Sequence, residues 1–218
     1  MEDAPASTRF WCTTRSIVAM KLRAHEDVRS FLDAASPLLM RDEARHNLLF
    51  GICSTLIEAP RAYPTFHLWT LESGDEVVWA GLMTPPFNIV VAQPARPDAL
   101  DSAAEALHTE GVPLPGVTGG LPEVDDFTER WERLTGLRRR LRMGHGVYAV
   151  QKVRAPEGVP GRMRLAADSD RGLLAEWLRA FTAEATPAES PHLDVDQIVT
   201  GRLDSGPRRV RVFEPASR

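Results

Sequence analysis

The opening pattern of this chain occurs twice. Met20-Lys21-Leu22-Arg23-Ala24 leads an alternating run into a helical one, and Met163-Arg164-Leu165-Ala166-Ala167 does the same 143 residues later. At that offset Asp27 falls on Asp170 and Phe31 on Leu174, so the helix starts and part of their apolar faces superimpose. A strand feeding directly into an amphipathic helix, twice in one chain, restricts the protein to α/β architectures. The second copy reaches the chain end at Arg218, the position equivalent to Asp75, and so has well under half the length of the first.

Between the two openings the periodicity predicts a complete domain. Residues 17–22 read as a strand and 25–35 as a helix, with Val28, Phe31, Leu32 and Ala35 on one face and Pro37 as its stop. A second helix follows from Asp42, where Ala44, Leu48, Ile52 and Leu56 recur every fourth residue and Pro60 ends the run. Three strand-like runs come next, 65–71, 77–83 and 88–92, divided by Ser73-Gly74-Asp75 and by Pro85-Pro86. Connections this short predict antiparallel neighbours.

A helix over 97–109 buries Leu100, Ala103, Ala104 and Leu107, with Pro97 and Asp98 suited to its first turn. A short strand at Gly116-Val117-Thr118 then leads through Gly119-Gly120 into a helix over 122–134, which buries Val124, Phe127, Trp131 and Leu134. Residues 137–153 predict one long or two short strands, interrupted at Gly144-His145-Gly146. The order βααβββαβαββ describes an α/β fold over 20–154, a mixed and mostly antiparallel sheet flanked by helices.

Two prolines and two glycines in residues 155–161 mark a linker. Beyond it, residues 162–218 read as the N-terminal part of a second domain. It has a strand at Arg164-Leu165, a helix over 168–181 capped by Asp168 or Ser169, a weaker helix over 193–203 and a strand over 208–213. Leu174, Trp177, Leu178 and Phe181 form the apolar stripe of the first of these helices.

Composition excludes several functional classes. A formal charge of −4 gives no electrostatic reason to expect nucleic acid or an anionic membrane as partner. The one dense basic run, Arg138-Arg139-Arg140 with Arg142, reads as a solvated element end. Cys12 and Cys53 lie in unlike contexts and make neither a metal spacing nor a disulfide framework, which points to a reducing cytoplasm. No run of apolar residues approaches a membrane span, and residues 1–19 lack the apolar core of a signal peptide. They read as a disordered tail, or as the product of an upstream start codon with Met20 then the natural start, in preference to a targeting segment.

The element order, the run from Arg162 to Ala185 and the hairpin at 77–83 leading into Pro85-Pro86-Phe87-Asn88 resemble the GCN5-related N-acetyltransferases. The resemblance is to two-domain bacterial members with a divergent N-terminal copy, and it covers residues 20–213. It implies transfer of an acetyl group from acetyl-CoA, as co-substrate, to a small amine. In that family the pyrophosphate sits on backbone N–H groups of a glycine-rich turn, Q/R-x-x-G-x-G/A, between the fourth strand and the next helix.

Here that turn falls on Ala92-Gln93-Pro94-Ala95-Arg96-Pro97-Asp98. Gln93, Ala95 and Arg96 are its cofactor-binding candidates, but it has no glycine, its two prolines donate no N–H, and Asp98 adds negative charge. In the second copy the corresponding turn would lie beyond Arg218, so that copy is read as truncated and the chain as weak or inactive in transfer.

The catalytic candidates are Glu184, which the resemblance sets at the end of a helix bordering the acceptor site and which otherwise reads as a surface glutamate, and His192 in Ser190-Pro191-His192, a base or substrate contact or else a turn residue. The family's tyrosine acid has no counterpart in 122–134, since Tyr63 and Tyr148 both fall in or beside strand-like runs. His145 reads as part of a strand kink, and His46 as part of a solvated helix face shared with Asp42 and Arg45. No metal site is indicated. The competing functions are a non-catalytic ligand- or partner-binding module, with self-association through the 173–181 apolar stripe, and a fragment with no function of its own.

Overall fold

The computed structural model describes residues 19–154, 157–185, 194–204 and 210–215. The chain divides into two compact units with the boundary between Val150 and Gln151.

The first unit opens with strand β1 (Met20–His25) and helix α1 (Val28–Leu39). Asp27 caps α1, its carboxylate accepting the N–H groups of Arg29 and Ser30 at 2.9 Å each. Pro37 does not stop the helix. It sits in the last turn, and α1 continues until Leu38 and Leu39 are buried, the apolar gain outweighing one missing hydrogen bond.

Helix α2 (Asn47–Glu58) begins later than its sequence pattern suggests and shows a different face. Leu49, Cys53 and Leu56 are buried, whereas Leu48 is 44% exposed. Residues four apart advance by about 40° around a helix, so the run 44, 48, 52, 56 does not hold one face, and only Leu56 of the four is buried.

Strands β2 (His67–Ser73), β3 (Glu76–Met83) and β4 (Ile89–Val91) follow, the first two joined through Gly74 at φ +62°. Helix α3 (Asp98–Thr109), strand β5 (Val117–Thr118) and helix α4 (Glu123–Thr135) complete the regular part of the unit. The sheet order is β1-β2-β3-β4-β5, antiparallel except for the parallel pair β4–β5, which α3 connects. This mixed five-stranded sheet agrees with the α/β class expected from the periodicity.

Two cores follow from the alternation of strand side chains. Leu68, Ala80, Leu82, Val90 and Ala92 pack with α1 and α2, while Trp69, Leu71, Trp79, Ile89 and Val91 pack with α3 and α4. Trp79 and Phe127 lie near-parallel at 6.3 Å, and Phe127 and Trp131 at 6.2 Å. Gly81 makes room for this stack, because a Cβ there would stand 2.5 Å from the Trp79 ring.

The strands predicted over 137–153 do not form. Residues 137–150 are exposed and have neither helix nor ladder, since an alternating pattern supplies propensity but no partner for the backbone.

The second unit contains strand β6 (Gly161–Leu165), helices α5 (Arg171–Ala185) and α6 (Val195–Asp204), and strand β7 (Arg211–Pro215), with β6 and β7 antiparallel. Ala166, Leu174, Ala175, Val199, Leu203 and Val212 make its small core. Neither Asp168 nor Ser169 caps α5 from its first turn. They lie in a short 3-10 turn, and Asp170 instead accepts the Ala167 N–H at 2.8 Å and binds Arg164 with both carboxylate oxygens, at 2.6 and 2.9 Å.

The expected stripe on α5 is split. Leu174 and Leu178 face the small core, but Trp177 and Phe181 are 54% and 64% exposed and align with Leu173 on an outer face.

Candidate functional site

Where β4 and β5 run parallel, their C-terminal ends meet the start of α3 and of α4. Backbone donors and the positive ends of two helices converge at such a place, making it the natural anion or cofactor crevice of a parallel pair. The turn after β4 determines whether those donors are free.

Ala92 N–H donates to the Ala80 carbonyl at 2.9 Å. The register would next place Pro94 opposite Val78, and Pro94 has no N–H; Ala95 donates to the Val78 carbonyl instead, at 2.8 Å. The result is a one-residue bulge that absorbs the Ala95 donor.

The Gln93 N–H is also taken, by His46 Nε2 at 3.0 Å. His46 is buried, and its Nδ1 lies 2.7 Å from the Leu39 carbonyl, so Nδ1 carries the proton and the ring is neutral. Arg96 closes on Asp98 through two hydrogen bonds of 2.7 and 2.6 Å, which hold the Asp98 carboxyl below its usual range. Asp98 also lies in the first turn of α3, where its charge suits the dipole.

The β5 side is closed by Arg45. Its guanidinium donates to the Leu121 carbonyl and to the buried Glu123 carboxylate, the latter at 2.5 Å. Glycines admit this arrangement. A Cβ at Gly120 would lie 2.7 Å from the Arg45 guanidinium, and one at Gly119 would lie 2.9 Å from the Val91 carbonyl oxygen. Asp42 holds the approach turn by accepting the Arg45 N–H at 3.0 Å.

Arg45 and His46 therefore do not belong to a solvated helix face, whereas Asp42 is exposed. All three precede α2, and Arg45 and His46 reach into the crevice. The periodicity reading missed Arg45, His46 and Glu123 as a unit. The available signal was Gly119-Gly120, two adjacent glycines before a helix whose first residue is acidic.

The structure brings Gln93, Ala95 and Arg96 together at the end of β4, with the first two N–H groups engaged within the chain. Glu184 is exposed near the C-terminus of α5 in the second unit, and His192 lies outside the described residues. Tyr63 packs edge-on against Phe87 at 6.3 Å, whereas Tyr148 is 95% exposed. His145 lies in the exposed stretch after α4.

A second buried polar cluster lies on β1 and β2. His25 Nε2 is 2.9 Å from the Thr70 hydroxyl, and the ring meets Phe31 edge-on at 5.7 Å. Burial, reinforced by Arg23, lowers the His25 pKa. Two surface hollows lie away from the crevice residues. One of about 500 Å³ is lined by Arg23, Arg41, Glu72 and Glu76 among others, and one of about 450 Å³ by His67, Met83, Pro85, Pro86 and Pro113 among others.

Among the described residues no group of three or more His, Cys, Asp or Glu is placed to hold a metal ion. No described helix is long and apolar enough to cross a membrane. The class defined by the first unit is an α/β protein with a mixed five-stranded sheet carrying helices on both faces. No family model, curated protein or solved structure matches the chain.

Proposed function

We propose that this chain is a protein of the GCN5-related N-acetyltransferase type whose first unit has lost acetyl transfer and serves as a ligand- or partner-binding module in the cytoplasm. The element order and the single parallel pair flanking α3 support the resemblance. The observation that carries the loss of transfer is the hydrogen bond from Gln93 N–H to His46.

Acetyl transfer from acetyl-CoA to an amine requires the pyrophosphate to rest on unpaired N–H groups between β4 and α3. Of the six residues 92–97, two are prolines, and Ala92, Gln93 and Ala95 already spend their donors inside the chain. Displacing His46 would leave the buried Leu39 carbonyl without this donor, so the crevice resists opening.

Thermal unfolding in a titration with acetyl-CoA, paired with a thiol-release assay on small amines, tests this reading. The expected result is no shift in midpoint and no turnover above background. A saturable rise in midpoint, or steady thiol release, overturns it.

A second reading concerns the second unit. The outward line Leu173, Trp177 and Phe181 on α5 favours self-association through residues 173–181. Trp177→Glu is expected to reduce any concentration-dependent increase in mass.

A further inference from the structure

The hollow of about 500 Å³ beside the β2–β3 hairpin has an apolar wall and an unbalanced charge. Pro37 and Leu38 of α1 face Val77 of β3 across it. Two ion pairs belong to its lining, Arg23 with Glu72 at 3.4 Å and Arg41 with Glu76 at 3.2 Å. Asp33 and Asp75 line it as well, and among the described residues neither has an ion-pair partner. The two paired arginines are balanced, so these two carboxylates leave the hollow with a negative surplus.

The segment that leads into β1 carries the complement. Residues 8–18 read Thr-Arg-Phe-Trp-Cys-Thr-Thr-Arg-Ser-Ile-Val, with Arg9 and Arg15 as their charged side chains and Phe10-Trp11 as an adjacent aromatic pair. The acidic Glu2 and Asp3 lie six or more positions before Arg9. Residues 1–18 are outside the described structure. Two large aromatic side chains side by side gain free energy from any apolar wall within reach.

We propose that residues 9–15 dock in this hollow of their own chain, Trp11 against the apolar wall and Arg9 and Arg15 toward Asp33 and Asp75.

Reach selects the hollow. Met20 pairs with Ser73, directly before the hairpin turn, so β1 begins beside the lining residues Gly74 and Asp75. Nine residues lead from Trp11 to Met20, a span of up to about 30 Å when extended and ample for a chain that turns back onto α1. The second hollow is less suited. Its residue His67 lies six positions along β2 from Ser73, about 20 Å farther, and Glu110 is the one carboxylate in its lining.

Charge and tether select the occupant. The guanidinium groups of Arg23 and Arg41 are half exposed and present planar cations to an indole face, while the unpaired carboxylates call for cations of their own. Residues 9–15 bring both kinds of group at once. A tether of nine residues holds them at a high effective concentration near the hollow, which favours the same chain over a second copy. The segment read as a tail from sequence alone thereby becomes a strap from β1 across α1 and the hairpin.

The test uses the full chain, in which Cys12 stands next to Trp11 and Cys53 is buried. Ala34→Cys and Val77→Cys each place a thiol on one wall of the hollow. Both should close a disulfide with Cys12 within one chain under mild oxidation of dilute protein. Ser102→Cys, on the helix α3 that covers the other face of the sheet, should close far more slowly. Rates are taken relative to alkylation of the same thiols. In the Ala34→Cys background Trp11→Ser should slow closure several-fold, and so should Arg9→Asp/Arg15→Asp. Adding Asp33→Arg/Asp75→Arg to that last variant should restore the rate.

Equal closure at Ala34→Cys, Val77→Cys and Ser102→Cys overturns the proposal, because the segment then has no preferred face. A rate that ignores both Trp11→Ser and the arginine changes overturns it too. A disulfide that forms only between two chains assigns the hollow to a second copy and likewise overturns it. None of these results depends on the acetyl-CoA titration, so either can fail alone.

Discussion

His46 accepts the Gln93 backbone N–H at 3.0 Å while its own Nδ1 proton goes to the Leu39 carbonyl at 2.7 Å. One buried imidazole thus ties the end of α1 to the turn after β4 and engages the Gln93 donor within the chain. Replacing it tests whether this tie is structural. His46→Phe keeps the volume but leaves the part-buried Gln93 donor and the buried Leu39 acceptor without this partner, at a cost of about 2 kcal/mol. Urea denaturation should show that loss as a lower midpoint with unchanged slope, and no drop would mean that the two groups find other partners.

Arg45 and Glu123 close the β5 side of the same crevice, with Arg45 about a quarter exposed and Glu123 buried. Removing one partner of a buried pair costs more than an exposed one, and partial access of water to Arg45 reduces the effect. Glu123→Ala should therefore destabilise by about 2 kcal/mol. A double-mutant cycle with Arg45→Met should recover a coupling of about 1 kcal/mol, and strict additivity would show that the contact is incidental.

Stability should also depend on pH through His25. Burial and Arg23 lower its pKa, while Glu72 and Asp27 oppose that shift. The folded state then binds fewer protons than the unfolded one, so this contribution is complete above the ordinary value of about 6.5. It is lost as pH falls through the depressed folded value. Urea midpoints should decline between pH 7 and pH 5, and His25→Gln should flatten that part of the curve.

Asp170 supplies the corresponding acid sensitivity in the second unit. Hydrogen bonds from Arg164, then from the Ala167 N–H, hold its carboxyl far below the usual carboxylate range. A depressed carboxylate stabilises above its ordinary value of about 4, and the contribution disappears as pH falls toward the folded value. Asp170→Asn should lower the midpoint of the second unit at neutral pH and remove its acid dependence below pH 4. Proton exchange over residues 161–204 would report both effects.

Cys53 is a free thiol within the core beneath α2, and burial pushes its pKa up to about 12. It should be silent toward a thiol reagent in the native protein and react only as fast as the first unit opens. With Cys12 changed to Ser, rapid labelling of Cys53 at neutral pH would contradict the packing.

Much of the fold was visible in local chemistry. Alternating apolar residues on either side of Gly74, and the spacing of Leu100, Ala103, Ala104 and Leu107, state a strand pair and a helix because period 2 and period 3.6 expose different faces. The turn after β4 was equally legible, since Pro94 and Pro97 lack a donor in any conformation.

The remaining features depend on what the chain meets in space. Leu49 rather than Leu48 turns inward because α2 starts at Asn47 and rotates the pattern. Residues 137–150 alternate like a strand but remain unpaired, because a ladder needs a neighbour that local sequence does not name. Trp177 and Phe181 face outward because the small core beneath α5 is filled by Leu174, Ala175 and Leu178.

The two sides of the crevice show the same division. Missing glycines and donors at 92–98 are properties of residue type and could be read from the sequence alone. That His46 reaches Gln93 across 47 positions, and Arg45 reaches Glu123 across 78, is set by packing. Such partners become neighbours only when α1, β4 and β5 are brought together around a common core.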